Sequence, residues 1–328
     1  MFAAILKPKT SGDLARFGVI AALLALIAFG ALRYDNFLSP FNILSFLRYN
    51  SMFCLIALGM AFVIISGGID LSVGAVAAMA SVCAALLSNH SWYAGLAGGL
   101  AAGLAAGLIN GFMIAKMRIQ PFIATLAMML AAYGTALLLA GNQSVSVSYE
   151  TGFTIIGQDD FLGFPIPAWI ALAAYGAGWV LLERLPSGRH ILAVGDGEAT
   201  AKLMGLKVER TLFAVYALSG ALAGLAGVIL ASQFGAGQPT EGVGWELFAI
   251  ASVVVGGTLL TGGSGSVGAT LAGALLLATV FNILNFENGL GWISLSAYWQ
   301  SVIRGGFLLV VVVLQARLNS RREGGRPI

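Results

Sequence analysis

The residue of this sequence best placed to do chemistry is Asp70, which lies in the stretch ISGGIDLSVGAV at residues 65–76 between two apolar runs. No basic residue lies nearer to it along the chain than Arg48 on one side and Lys116 on the other. An ionisable group inside a membrane is costly and is usually functional, whereas an acid just before a helix can simply cap its first turn. Both interpretations stay open from the sequence.

Other patterns that could carry chemistry are few. Glu246 and Arg304 are the remaining charges in apolar segments, too few for the relay of ionisable groups that a proton- or sodium-coupled carrier needs. The run GSGSVG at 263–268 matches a dinucleotide fingerprint, but it joins two apolar segments and the next acid is Glu287, so we reject it. No phosphate-binding loop, HExxH motif or nucleophile–base pair is present. The sequence therefore predicts no catalytic residue, no metal site, no cofactor and no enzyme activity.

Composition places these groups in a membrane protein. Of the 328 residues, 59% are hydrophobic and only 9% are charged, against roughly 25% charged in soluble domains. The apolar residues come in blocks long enough to cross a bilayer as a helix of about 20 residues. Cys54 and Cys83 lie in such blocks and predict packing residues rather than a disulfide or a zinc site. We predict an all-α fold, a polytopic transmembrane helical bundle.

Windows of about 19 residues predict ten spans along this bundle. They are residues 15–32, 49–66, 71–88, 92–115, 120–140, 165–182, 212–234, 246–262, 266–286 and 298–315. The first span is short and follows basic residues, so a cleaved signal peptide is the alternative there. A retained helix is preferred because ten spans satisfy the charge rule.

The basic residues orient these spans. With the N-terminus inside, 14 of the 17 Lys and Arg residues fall in inside segments, as is typical of cytoplasmic loops. Arg33 and Arg48 lie outside, and Arg304 lies within the last span. Both termini are therefore predicted to be cytoplasmic, and the net charge of +3 reflects topology rather than nucleic-acid binding.

Two loops carry more pattern than a plain connector. The outside loop 141–164 has three acids and no base, which suits either a ligand-receiving surface or a solvated connection. The inside loop, about 183–211, has five bases and four acids in 29 residues. It predicts a turn at Gly195–Asp196–Gly197, a short helix over 198–204 and a stop at Gly205. Such a helix either contacts another protein or lies on the membrane face of its own.

Glycine patterns predict how the spans associate. Residues 66–75, SGGIDLSVGA, and 261–269, TGGSGSVGA, each join a span running inwards to one running outwards. This match predicts a partial parallel internal repeat, which transporters commonly carry. The fourth span has glycines at four-residue spacing, which favour close helix packing over a smooth pore-lining face. They are Gly95, Gly99, Gly103, Gly107 and Gly111.

Two of these motifs together give the sequence a family resemblance. SGGIDLSVGAV, followed by AVGDGEATAKLMGLK at 193–207, resembles the permease subunits of bacterial ABC importers for monosaccharides of the ribose, xylose and galactose type. The stretch 249–276 is similar to a second signature of that family, and the likeness covers about residues 35–315.

The resemblance implies a transport subunit: one permease domain over 1–328 in the bacterial inner membrane. Its implied partners are ABC ATPase subunits, a periplasmic sugar-binding protein, a second permease copy and the lipid bilayer. The cytoplasmic loop would carry a coupling helix that docks in the ATPase. The ATPase-coupling residues are then Gly195, Asp196, Glu198, Ala199, Lys202 and Gly205. The family often has Asn where this chain has Asp196 or Gly197.

The leading hypothesis is ATP-driven import of a pentose or hexose by alternating access. Candidate residues of the pathway or gate are Ser66, Gly67, Gly68, Asp70, Ser72, Asn110, Gln120 and Thr125. The polar members of this set could equally be hydrogen bonders between packed helices. A secondary carrier or facilitator without ATPase subunits is the alternative, and a scaffold or receptor subunit is a second one. Neither explains the displayed helix together with the missing ion relay.

Overall fold

The computed structural model of the chain describes residues 11–289, together with residues 299, 302, 303, 305 and 306. Its helices are α1 (Ser11–Arg33), α2 (Pro40–Ile65), α3 (Val73–Ser88), α4 (Trp92–Ala115), α5 (Pro121–Ala140), α6 (Ile155–Gln158), α7 (Ile166–Trp179), α8 (Pro186–Asp196), α9 (Glu198–Leu203), α10 (Val208–Phe234), α11 (Trp245–Val255) and α12 (Val267–Gly289). A π-helical turn, Val180–Arg184, extends α7. The strands are β1 (Val145–Ser146), β2 (Asp160–Phe161), β3 (Phe164–Pro165) and β4 (Ala236–Gly237).

Six of the described helices are long and apolar enough to cross a membrane: α2, α4, α5, α7 with its π-helical turn, α10 and α12. Three shorter helices, α1, α3 and α11, are also apolar. Each of these nine overlaps one of the predicted spans. The prediction at 298–315, including Arg304, lies largely outside the described residues. The chain is an all-α, multi-pass membrane protein.

Helix α2 begins at Pro40, nine residues before the predicted start of that span. Ser39 caps it by accepting a hydrogen bond from the Asn42 backbone N–H at 3.3 Å, and proline suits the first helical position. Arg48 is therefore a helical residue rather than a loop residue, and it pairs with Asp160 at 2.6 Å. The helix tolerates this arginine because Asp160 compensates its charge and because Arg48 lies in the first, more polar half of α2.

Helix α10 lies at the centre of the bundle, against α2, α3 and α4. The five glycines of α4 are all buried, and two of them, Gly103 and Gly107, face small residues of α10. A methyl group at Gly107 would come within 2.9 Å of the Gly220 Cα, and one at Gly224 within 3.0 Å of the Gly103 Cα. The backbones of α4 and α10 thus touch directly at these glycines. This face of α4 therefore packs against α10 and does not line an open pore.

Short strands close the end of the bundle at which α3 and α5 finish. Strand β1 pairs with β4, and β2 with β3, both antiparallel. The loop 141–164 is thus ordered, with α6 packed against α10. Its Ser148 backbone N–H donates to Ser88 Oγ at 2.9 Å, which ties the loop to the end of α3.

Candidate functional site

Asp70 is buried in hairpin 1, the segment Ser66–Ser72 that joins α2 to α3, with only 1% of its surface exposed. Its Oδ1 accepts hydrogen bonds from the Ser72 backbone N–H at 3.0 Å and from Ser72 Oγ at 2.6 Å. Its Oδ2 accepts a third from Ser219 Oγ of α10 at 2.9 Å. No basic side chain among the described residues pairs with it. The carboxylate is held by hydroxyl and amide donors, which are the partners a buried acid requires in place of a cation.

Helices α4 and α5 complete the surroundings of hairpin 1. Asn110 Nδ2 donates to Ser72 Oγ at 3.0 Å. Thr125 Oγ1 accepts from the Leu71 backbone N–H at 3.1 Å and donates to Pro121 O at 2.9 Å. We call Asp70, Ser72, Asn110 and Ser219 the Asp70 cluster. It links hairpin 1 to α4 and α10 through polar contacts in the interior of an apolar bundle.

Two polar atoms beside the cluster are buried without a hydrogen-bond partner among the described residues: Asn110 Oδ1 and Tyr216 OH. Tyr216 is fully buried in α10, one turn before Ser219, and its hydroxyl lies against Gly68. Unpaired buried polar atoms cost about 1–3 kcal/mol each. The cluster therefore has spare donor and acceptor capacity in this arrangement of the helices.

The predicted pathway residues divide into two groups. Asp70, Ser72, Asn110 and Thr125 come together around hairpin 1. Ser66 is buried but donates only to Val63 O of its own helix, at 2.8 Å. Gln120 is exposed at the start of α5, away from the cluster. Of the two glycines, Gly67 is exposed and Gly68 is buried.

The sequence interpretation missed Ser219 and Tyr216. Both lie in the run YALSGALAG of α10, where a serine among glycines and alanines is typical of helix packing. The available signal was a serine and a tyrosine in the middle of a long apolar helix. Of the two interpretations of Asp70, capping is met in part: Ser72 is the residue at the N-cap position of α3, and Asp70 accepts a hydrogen bond from its backbone N–H.

Three glycine-containing segments meet beside hairpin 1. The second hairpin, residues 256–266 between α11 and α12, donates a hydrogen bond from the Gly263 backbone N–H to Ile65 O at 3.0 Å. A methyl group at Gly262 would come within 2.9 Å of Gly67 Cα and 3.0 Å of Gly195 O. One at Gly195 would overlap Ile65 O. We call this contact of hairpin 1, hairpin 2 and the end of α8 the junction.

The predicted turn at Gly195–Asp196–Gly197 is wrong for its first two residues, which form the end of α8. Gly195 stays helical because it packs directly on the backbone of hairpin 1, and the chain turns only at Gly197. Helix α9 then covers Glu198–Leu203, close to the predicted 198–204, and Gly205 follows with φ +82°. The junction therefore lies two residues before α9.

Helix α9 has a buried face and an exposed face. Ala201 is fully buried among apolar residues from the ends of α4, α8 and α10. Asp196, Glu198, Ala199, Lys202 and Gly205 are exposed. Leu203 and Met204, which the sequence analysis did not single out, are 89% and 63% exposed. Apolar side chains presented in this way are typical of a surface that binds another protein.

Ion pairs surround the base of α9. Arg118, in the loop after α4, lies 3.2 Å from Glu209 and 3.9 Å from Glu198, and Lys116 lies 3.1 Å from Glu209. All of these side chains are about half exposed, and exposed pairs contribute little to stability, about 0–1 kcal/mol. They join the loop after α4 to the starts of α9 and α10.

An apolar helical bundle with a buried polar cluster and a helix presented at one end defines a membrane transport subunit. Residues 42–312 match the family described as branched-chain amino acid transport system / permease component, and the chain belongs to this family.

Individual relatives cover nearly the whole chain. The ribose import permease protein RbsC of Bacillus subtilis (strain 168) is 41% identical over 312 residues, which are 94% of this chain and 95% of the relative. RbsC of Escherichia coli (strain K12) is 38% identical over 300 residues, 90% of this chain and 92% of the relative. The L-arabinose transport system permease protein AraH of Escherichia coli (strain K12) is 38% identical over 312 residues, 93% of each chain. Comparison with solved structures gave no significant match.

Proposed function

We propose that the chain is the permease subunit of an ATP-driven ABC importer that carries a pentose or hexose from the periplasm to the cytoplasm by alternating access. Membership of the permease family, and similarity to ribose and L-arabinose permeases along almost the whole chain, support this function. The structural observation that carries it is α9: a short helix with an exposed apolar end, next to the junction of the two hairpins.

The proposed topology is one permease domain over 1–328 with ten spans, both termini cytoplasmic and a partial parallel repeat. The nine apolar helices of the described residues are compatible with it, and 14 of the 17 basic residues favour this orientation. In this orientation α8, α9 and the junction face the cytoplasm. The strands β1–β4 face the periplasm, and the membrane is the bacterial inner membrane.

The proposed assembly contains a second permease copy, two ABC ATPase subunits and a periplasmic sugar-binding protein. Leu203 and Met204 suit the contact with the ATPase because apolar side chains exposed to water gain most from burial at an interface. The loop 141–164, with its three acids, is the candidate contact for the binding protein. The permease itself needs no cofactor for this work.

Displacement of α9 is proposed to reach the membrane interior through the junction. Gly195 and Asp196 lie directly against the backbones of the two hairpins. Closely packed backbones are hardly compressible, so a displacement of one is passed on to the other. Hairpin 1 holds Asp70, so movement there alters the distances between Asp70, Asn110 and Ser219. The Asp70 cluster, with Thr125, is the proposed gate.

Docking of α9 is tested with Lys202→Pro, which lies past the first turn and breaks the helix, and Leu203→Asp, which places a charge on its apolar end. We expect both to lower sugar uptake at least about tenfold and to reduce co-purification of the ATPase, as loss of a central interface residue does. Leu162→Asp is the matched control, because Leu162 is 75% exposed at the opposite end of the bundle. It should leave ATPase co-purification unchanged, and all three variants should insert in the membrane.

Normal uptake in the α9 variants would contradict the coupling role. Uptake that continues in cells depleted of ATP would instead favour a secondary carrier.

A further inference from the structure

A cavity of about 260 Å³ lies between the first half of α2 and the second half of α12, with α11 on one side. Four asparagines line it, Asn42, Asn50, Asn282 and Asn285, together with five aromatic side chains that include Phe46 and Phe248. It is separate from the Asp70 cluster, with which it shares no residue. We call it the amide cavity.

The asparagines of the amide cavity differ in how far their hydrogen bonds are satisfied. Asn42 and Asn282 pair reciprocally, amide to amide, at 3.2 and 3.3 Å, and so join α2 to α12. Asn42 Nδ2 also donates to Phe37 O at 2.7 Å. Asn50 Nδ2 donates to Phe46 O at 2.8 Å, while its Oδ1 accepts no hydrogen bond from the described residues. Asn50 therefore offers the cavity an acceptor.

Aromatic rings form the other wall. The rings of Phe53 and Phe248 have centroids 4.9 Å apart, and those of Phe248 and Phe281 have centroids 6.1 Å apart. These distances fall in the range of favourable ring contacts. These rings lie on α2, α11 and α12, so the same helices give the cavity both its apolar surface and its amides.

Such a lining does not suit lipid. Carboxamides in hydrocarbon lose their hydrogen bonds to water, which is costly unless other partners replace them. Asn42 and Asn282 satisfy each other, whereas the Asn50 Oδ1 has no donor among the described residues. A neighbouring cavity of about 350 Å³ beside α2 and α7 has a more apolar lining, with four leucines and two alanines, and Asn50 is the one asparagine that it shares with the amide cavity. The amide cavity is instead suited to a ligand with both hydroxyl groups and C–H faces.

The size of the cavity limits that ligand. Sites for drug-sized ligands have volumes of roughly 300–1,000 Å³, so 260 Å³ suits a smaller solute. Carboxamides both donate and accept hydrogen bonds, as sugar hydroxyls do, and none of the described residues that line the cavity is charged. The chemistry therefore selects a small, neutral, polyhydroxylated molecule.

We propose that the amide cavity is a sugar subsite of the translocation route, in which Asn50 and Asn282 hydrogen-bond the hydroxyls of a monosaccharide and the rings of Phe46 and Phe248 contact its C–H face. This inference rests on the proposed function. In the proposed topology the first half of α2 lies towards the periplasm, so the subsite receives sugar before it reaches the Asp70 cluster.

The test is uptake of four ¹⁴C-labelled sugars, D-ribose, L-arabinose, D-xylose and D-galactose, by cells that express the complete importer. Asn50→Ala removes the open acceptor without touching α12, and Asn282→Ala removes the paired amide. Asn89→Ala is the matched control, because Asn89 is an exposed asparagine that follows α3. Dimer assembly is followed on native gels, and ATPase activity is followed in nanodiscs.

We expect Asn50→Ala to lower uptake of the transported sugar about tenfold, the effect of one lost hydrogen bond to a buried polar group. The ratio of uptake between two sugars should also change at least about threefold, while assembly, ATPase activity and the control stay unchanged. Unchanged uptake in both Asn50→Ala and Asn282→Ala would overturn the subsite and leave the proposed function intact.

Other outcomes are also decisive. Equal loss of all sugars together with loss of the permease dimer would assign the cavity to a contact between copies, and would overturn the subsite. If the unaltered importer takes up no pentose or hexose in an ATP-dependent way, in a panel that extends beyond these four sugars, the proposed function fails, and the subsite falls with it.

Discussion

Hairpin 1 and hairpin 2 share a glycine-rich sequence and meet at the same junction, but their interiors differ. Hairpin 1 contains a buried carboxylate that accepts three hydrogen bonds, one of them from α10. Its neighbours in α4 and α5 add further polar contacts. Hairpin 1 is thus attached by side chains to three other helices.

Hairpin 2 contains no acid. Its buried Ser266 precedes α12, where Thr270 donates to Ser266 O at 3.1 Å, a contact local to that helix start. Its bond to hairpin 1 is backbone to backbone, from Gly263 to Ile65. The glycines of hairpin 2 pack closely against hairpin 1 and the end of α8, but a glycine itself contributes no side-chain hydrogen bond.

The two hairpins therefore share one structural role, the contact with α8, and differ in a second, the attachment to the bundle by a carboxylate. The glycines serve the shared contact with α8, whereas the carboxylate fixes one copy to the bundle. We therefore expect hairpin 2 to move more readily than hairpin 1 when α9 is displaced. The comparison is tested by substitutions in the shared junction, in the carboxylate and in one matched pair of threonines.

The largest effect is expected at the shared junction. Gly195→Ala places a methyl group against Ile65 O and within 2.6 Å of the Gly263 backbone N, so both hairpins must shift. Overpacking typically costs about 1–3 kcal/mol, and we expect about 3 kcal/mol here because backbone atoms cannot move aside. The measurement is thermal unfolding of the purified permease in detergent, together with sugar uptake.

Gly268→Ala is the control for this substitution. Gly268 lies in the first turn of α12, where an added methyl group meets no atom within 4 Å. Alanine is the better helix former, so stability should be unchanged or slightly higher. Equal stability of the two variants would show that the junction can accommodate a methyl group at Gly195, and that its backbones are packed less tightly than the distances imply.

The spans and the short helix of the loop 183–211 could be predicted because local composition determines them. Apolar blocks define α4 and α5, and the run EATAKLMG gives α9 its start and its glycine stop. The start of α2 could not be found in this way. Its first turns carry Asn42, Ser45 and Arg48, polar residues that look like a loop until the contacts of Asn42 with α12 and of Arg48 with Asp160 are known.

The candidate site was only half predictable, for a different reason. Asp70 stands out because an unpaired acid in an apolar sequence is rare, and Asn110 stands out in the same way. Ser219 lies 149 positions from Asp70, and nothing in the local sequence distinguishes it from a packing serine. Gln120 was selected for its polarity alone, and the structure leaves it exposed.

An intermediate effect is expected from the carboxylate that distinguishes hairpin 1. Asp70→Asn removes the charge from three hydrogen bonds, and charge-assisted bonds are about twice as strong as neutral ones. We expect a loss of about 2 kcal/mol in the free energy of unfolding and a marked fall in sugar uptake. Asp35→Asn, at an exposed position, should change neither quantity. Equal tolerance of the two substitutions would reduce Asp70 to a local cap with no part in the gate.

The smallest effect should come from two threonines that differ in their contacts with hairpin 1, where Thr125 Oγ1 also lies 3.4 Å from Ile69 O. Thr125 and Thr270 are both fully buried, and each donates to the carbonyl four residues earlier, at 2.9 and 3.1 Å. Only Thr125 also accepts a hydrogen bond from hairpin 1, from the Leu71 backbone N–H.

Thr125→Val leaves that N–H without an acceptor and should cost about 1 kcal/mol, the low end for an unpaired buried donor. Thr270→Val removes only a bond at the start of its own helix and should cost about half as much or less. Thermal unfolding of the two variants side by side measures the difference. If Thr270→Val is the more destabilising, hairpin 2 depends on polar contacts after all, and the contrast between a fixed and a movable hairpin is wrong.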